Sequence, residues 1–95
     1  MLHPPRAYIY LDAVARAGSI RKAAEKLHVA STALNRMILE LEEQAGTPLF
    51  ERLPRGVRLT AAGEVLVHTV RRSLSDLRSA QSQIEQLRGL VRGTV

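Results

Sequence analysis

The sequence has no cysteine, no tryptophan and only three aromatic residues, Tyr8, Tyr10 and Phe50, in a length of 95. Without cysteine there is no disulfide scaffold, no thiol nucleophile and no zinc site that depends on sulfur. Without aromatic faces in series there is no stacking platform for single-stranded nucleic acid, and RNA recognition is disfavoured for the same reason. Apolar runs extend for only a few residues, so no segment is expected to span a membrane. Residues 1–6 show neither the apolar stretch nor the cleavage pattern of a secretory signal, which leaves a cytoplasmic chain as the expectation. The length allows one domain of modest core with an attached helix, and too little mass for a second globular unit or a deep catalytic cleft.

What the sequence does have is basic charge and clear punctuation. Fourteen Lys and Arg residues face nine Asp and Glu, a formal charge of +5 at pH 7. A surplus of that size on a small chain favours a polyanionic partner, and the placement of the charges decides whether it has one. Turn residues fall at Pro4-Pro5, Gly18-Ser19, Gly46-Thr47-Pro48, Pro54-Arg55-Gly56 and Gly93. They divide the chain into short periodic segments.

Between those breaks the period is helical. Ile9, Leu11, Ala13 and Val14 give a first helix from about Arg6 to Ala17, closed by Gly18. Ser19 caps a second, 20–27, with Ile20, Ala23, Ala24 and Leu27 inward. After the break His28-Val29-Ala30, Ser31 or Thr32 is expected to cap a third helix. Its inner stripe is Leu34, Met37, Ile38, Leu41 and Ala45, and Gly46 stops it. Leu49-Phe50-Glu51-Arg52 and Gly56-Val57-Arg58-Leu59 read as a two-stranded hairpin. Thr60 caps a long fourth helix over 61–90, on which Val70, Leu77, Ile84 and Val91 recur every seven residues and Leu87 follows Ile84 by three.

Two helices joined by three residues, the second apolar on its inner side, form a helix-turn-helix. The outer side of that second helix is then free to enter a major groove, and here it carries Thr32, Asn35, Arg36 and Leu39, with Ser31 at its start. Asn can bond an adenine edge through both amide atoms, and Arg a guanine edge, so Asn35 and Arg36 are suited to reading bases. Arg52, Arg55 and Arg58 lie within seven residues on the hairpin, an electrostatic probe for phosphates or a narrow minor groove. Arg21 and Lys22, at the start of the second helix, can meet the backbone through side chain and helix N-terminus together.

One ordered combination of residues is specific. Gly18-Ser19-Ile20, Ala23-Ala24, Leu27-His28-Val29, Ala33-Leu34-Asn35-Arg36, Leu41-Glu42-Glu43, Gly46-Thr47-Pro48-Leu49-Phe50-Glu51-Arg52 and Arg55-Gly56-Val57-Arg58-Leu59-Thr60-Ala61-Ala62-Gly63 closely resemble the DNA-binding domain of LysR-type transcriptional regulators. The resemblance covers about 8–95. It implies a mainly α winged helix-turn-helix head (three helices and a two-stranded wing, 1–60) and a dimerising linker helix over 61–90. It also implies a small-molecule-sensing domain thereafter, of which 91–95 would be the start. The sensed effector would act only through that further domain.

This chain departs from the family pattern where the recognition helix begins. Ala30-Ser31-Thr32 replaces the usual Ser-Gln followed by Pro or Ser, and Asn35 replaces a later Ser. Met37 and Leu39 stand where Gln and a basic residue are common. Leu39 either touches a thymine methyl or is packed by the wing. Altered base preference, rather than loss of binding, is the expectation.

Other chemistry finds little support. His3, His28 and His68 are scattered and lack acidic companions at ligand spacing, so no metal or cofactor is expected and His28 reads as a turn residue. Glu40, Glu42 and Glu43 read as a solvated face. Ser73, Ser75, Ser79 and Ser82 have no base beside them. The expectation is a double-stranded-DNA-binding homodimer joined through Val70, Leu77, Ile84, Leu87 and Val91, and no enzyme. The competing reading is a helical adaptor or anti-activator whose long helix is the working surface.

Overall fold

The computed structural model describes residues 5–91. Helix α1 (Arg6–Ala17) ends at Gly18, whose left-handed conformation lets its N–H reach back to the Val14 carbonyl. Helix α2 (Ile20–Leu27) begins at Ser19, whose hydroxyl accepts from the Lys22 N–H at 3.2 Å. It ends at His28, also left-handed.

Helix α3 (Ser31–Ala45) starts differently from the sequence expectation. Ala30, which has no side chain able to cap, precedes it, so neither Ser31 nor Thr32 caps the helix. Both hydroxyls are thereby left on the helix's first turn, exposed. Strands β1 (Phe50–Leu53) and β2 (Gly56–Leu59) pair antiparallel, Phe50 opposite Leu59 and Leu53 opposite Gly56. The hairpin is thus one residue later on its first strand than the alternation predicts, because the two-residue turn Pro54–Arg55 brings Leu53 into register. Helix α4 runs over Ala61–Val91. Of the segment 91–95, Val91 closes that helix, and its side chain and the rest of the segment lie outside the described residues.

The core forms where α1, α2, α3 and the first turns of α4 converge: Leu11, Val14, Ala23, Ala24, Leu34, Ile38, Leu41, Leu49, Phe50, Val67 and Val70. Ala23 and Ala24 are buried, so α2 sits close to its neighbours. Ala45, expected to continue the inner stripe, is exposed, one turn beyond Leu41 where the core stops. Val70 is a correction to the expected partner seam: at 5% exposure it belongs to this chain's own core. The free part of the stripe starts one heptad later, with Leu77 half-buried and Ile84 and Leu87 exposed.

Three polar contacts lock the head to its appendages. Burial raises the Asp12 pKa, but hydrogen bonds and charge from Arg16 and Arg71 outweigh it, holding the carboxyl below its ordinary 3.8. The distances are 2.9 Å from Arg16 Nε and 2.6 Å from Arg71 Nε, the latter tying α4 to α1. Glu42, expected to be a solvated carboxylate, instead accepts from the backbone N–H groups of Leu49 (2.7 Å) and Phe50 (3.1 Å), anchoring the entry to the wing. The Thr60 hydroxyl donates to the Pro48 carbonyl at 2.8 Å and accepts from the Gly63 N–H at 3.0 Å, capping α4 as expected. A Cβ at Gly63 would lie 2.0 Å from the Leu49 carbonyl oxygen, so only glycine permits that approach.

The molecule measures 59 × 26 × 19 Å. Its elongation comes from α4, whose 31 residues extend for about 46 Å at the usual helical rise.

Candidate nucleic-acid interface

The outer face of α3 is built by default. Leu34, Ile38 and Leu41 turn into the core, which leaves Ser31, Thr32, Arg36 and Leu39 exposed on the opposite side and Asn35 half-buried at its edge. Leu39 retains 50% of its surface, so the wing does not cover it.

The wing is held against the turn between α1 and α2. The Val57 N–H donates to the Gly18 carbonyl at 3.0 Å. Gly56 has φ +112, and a Cβ there would come within 2.3 Å of the same oxygen. This docking brings Arg55 to the start of α2. Gly18, Ser19, Arg21, Lys22, Arg55 and Gly56 line one open cleft of about 380 Å³. Arg21 and Lys22, expected together at the start of α2, and Arg55, expected on the hairpin, therefore share one concavity at a helix N-terminus, where the helix dipole also favours an anion.

The three hairpin arginines have different surroundings in the fold. Arg58 pairs across the wing with Glu51, directly opposite it, at 3.0 Å. Arg52 turns from β1 onto α3, where its NH1 donates to Asn35 Oδ1 at 2.9 Å. Arg55, at the tip, has neither an ion pair nor a side-chain hydrogen bond among the described residues. Arg21 is engaged by Glu25 one turn along α2 at 3.0 Å, whereas Lys22 and Arg36 make no such pair among the described residues.

Sequence reasoning missed Asp12, Glu42 and the Asn35–Arg52 bond. The spacing of Asp12 and Arg16 was a local signal of an i,i+4 pair, and no local signal existed for the other partners. Tyr10 packs against the core, and Tyr8 lines an apolar groove of about 300 Å³ with Pro5, Leu66, Val70, Leu74 and Leu77 between α1 and α4. No helix among the described residues is long and apolar enough to cross a membrane. No three His, Asp or Glu residues among them are grouped so as to hold a metal ion.

A helix pair packed on a third helix, closed by a two-stranded wing and continued by a long helix, defines a winged helix-turn-helix protein. Residues 5–64 match the family of bacterial regulatory helix-turn-helix proteins, lysR family, and the chain belongs to it. It is 39% identical over 84 residues to a RuBisCO operon transcriptional regulator from Allochromatium vinosum, covering 88% of this chain and 28% of that protein. It is 40% identical over 84 residues to the HTH-type transcriptional regulator BudR of Klebsiella aerogenes, covering 88% of this chain and 57% of that one. The chain thus spans only part of the length of these relatives. Among solved structures it is similar to a CbnR_DBD–DNA complex, with a TM-score of 0.81 and 34% identity over 90% of this chain and 98% of that one.

Proposed function

We propose that this chain is the sequence-specific, double-stranded-DNA-binding part of a bacterial transcriptional regulator, acting in the cytoplasm as a homodimer on an interrupted inverted repeat. The observation that carries the reading is the Asn35–Arg52 bond. It joins residues 17 apart in sequence, so that the wing and the outer face of α3 form one continuous basic and polar surface. That α3 should lie in a major groove is further supported by the similarity to a chain bound to DNA.

In this reading Ser31, Thr32, Asn35 and Arg36 face base edges. Lys22, Arg21 and Arg55 take phosphates around the cleft at the start of α2, and Arg58 shapes the wing through Glu51. Leu77, Ile84, Leu87 and Val91 on α4 pair with a second copy, which fixes the separation of two recognition helices. A small-molecule effector would act only through a domain beyond 91–95. The role assigned to the chain is binding, and no reaction is assigned to it.

Titration of a random-sequence duplex at low and moderate salt tests this reading against that of a helical adaptor. Binding should fall steeply with salt; an adaptor would show no such dependence. Arg55→Ala should weaken all sequences about equally and reduce the salt slope by about one. Arg36→Ala should cost roughly 1–3 kcal/mol and relax preference at particular base positions. Equal losses for cognate and random duplexes in both variants would overturn the assignment of roles.

A further inference from the structure

We infer that Arg52 is a positioning residue for base readout, and that the Asn35–Arg52 pair selects a keto base, guanine or thymine, over adenine or cytosine. The inference rests on the DNA-binding reading above and refines it.

The Asn35–Arg52 bond has a definite polarity. A guanidinium carries only donors, so the Asn35 atom facing Arg52 NH1 at 2.9 Å is the carbonyl oxygen and the amide orientation is fixed. An asparagine that reads adenine must accept from the N6 amino group with that oxygen while donating to N7 with its nitrogen. Here one of that oxygen's two lone pairs is taken by a cation, which weakens it as an acceptor and sets a positive charge beside it. An incoming adenine N6 amino group would place a donor beside the guanidinium, and the same holds for the cytosine N4 amino group. A keto oxygen reverses the sign of that encounter. Guanine O6 and N7, or thymine O4, are acceptors only, and they meet the Asn35 NH2 together with the remaining guanidinium N–H groups of Arg52.

The surroundings agree. Asn35 is half-buried at the edge of the outward face of α3, so the pair stands where base edges would arrive rather than in the solvent beyond. Among the described residues its bond to Arg52 is the only side-chain hydrogen bond that either residue makes, and no carboxylate is paired with Arg52 to neutralise its charge. The exposed Leu39, one turn further along the same face, offers an apolar contact to a neighbouring thymine methyl.

Selection of bound duplexes from a random pool tests this, using the wild type and the variants Arg52→Ala, Arg52→Lys and Asn35→Ala. The wild type should prefer a keto base at one position in each half-site by about tenfold over adenine. Arg52→Ala should move that position toward adenine and leave the other selected positions unchanged, because the cation beside the amide oxygen is removed and the oxygen accepts an amino group unopposed. Arg52→Lys, which keeps a cationic donor, should retain the keto preference, and Asn35→Ala should lose preference at that position alone. A merely structural Arg52 would lower affinity without exchanging one base for another. Adenine at that position in the wild-type pool, or an unchanged base in the Arg52→Ala pool, would overturn the inference while leaving DNA binding intact. Failure of the wild type to enrich any sequence, with no salt-dependent binding, would overturn the underlying reading and the inference with it.

Discussion

Leu11, Val14 and Ile38 in the head are wholly excluded from solvent, whereas Ile84, Leu87 and Leu90 near the end of α4 keep 43, 59 and 74% of their surfaces. The chemistry of the two groups is the same, and only their surroundings differ. In the head each apolar face meets another from the same chain, so folding is intramolecular. Along the last turns of α4 no such face exists among the described residues, and a lone helix gains little stability from propensity alone. In the homodimer proposed above, a second copy of α4 would supply that face.

The comparison predicts effects of very different size for similar truncations. Ile38→Ala should cost roughly 2–5 kcal/mol in denaturant unfolding, because it opens a cavity in a closed core. Gly56→Ala should cost about 1–3 kcal/mol, since φ +112 and the approach to the Gly18 carbonyl both exclude a side chain. The wing would then leave the start of α2, and amide exchange at Val57 should rise before exchange elsewhere in the head.

Asp12, at the joint between the two regions, comes next. Asp12→Ala should cost about 1–2 kcal/mol, at the low end for a charged hydrogen-bonded group because both arginines are partly solvated. Its pH dependence has a definite sign. The folded-state pKa is lower than the ordinary 3.8, so the carboxylate's stabilisation is full above that value and is lost as pH falls through the lower folded-state value. Acid unfolding of the wild type should be steeper below about pH 4 than that of the variant. Equal profiles would show that Asp12 contributes nothing to the joint.

Leu87→Ala should have the smallest effect on the head, within about 0.5 kcal/mol of the wild type when unfolding is followed at concentrations where the chain is monomeric. The same substitution should weaken dimerisation by about tenfold in sedimentation equilibrium, as expected for loss of a central apolar contact. A head destabilised as much as by Ile38→Ala would erase the distinction between the two regions.

The features legible in the sequence were those set by neighbours along the chain. Gly18 and Gly46 end helices, Ser19 and Thr60 begin them, and the spacing of Leu34, Ile38 and Leu41 defines the buried face of α3. Each of these depends on residues within one or two turns. Ala30 shows the limit of that logic: a helix start with two hydroxyl residues nearby is capped by neither, because helical geometry already includes Ser31. Contacts that cross the fold left no trace of this kind. Glu42 is one of three glutamates within four residues, and only the return of the chain at Leu49 singles it out. Arg71 lies 59 residues from Asp12. The hairpin arginines looked equivalent in sequence, yet cross-strand register gave Arg58 to Glu51 and proximity to α3 gave Arg52 to Asn35.

Methylation interference on a selected duplex addresses the central claim most directly, because dimethyl sulfate marks guanine N7 in the major groove and adenine N3 in the minor groove. If a dimer presents two copies of α3 to one duplex, methylated guanines should block binding in two symmetry-related clusters, centred about one helical turn (roughly 10 base pairs) or a whole multiple of it apart. A single cluster, or interference confined to adenines, would contradict it.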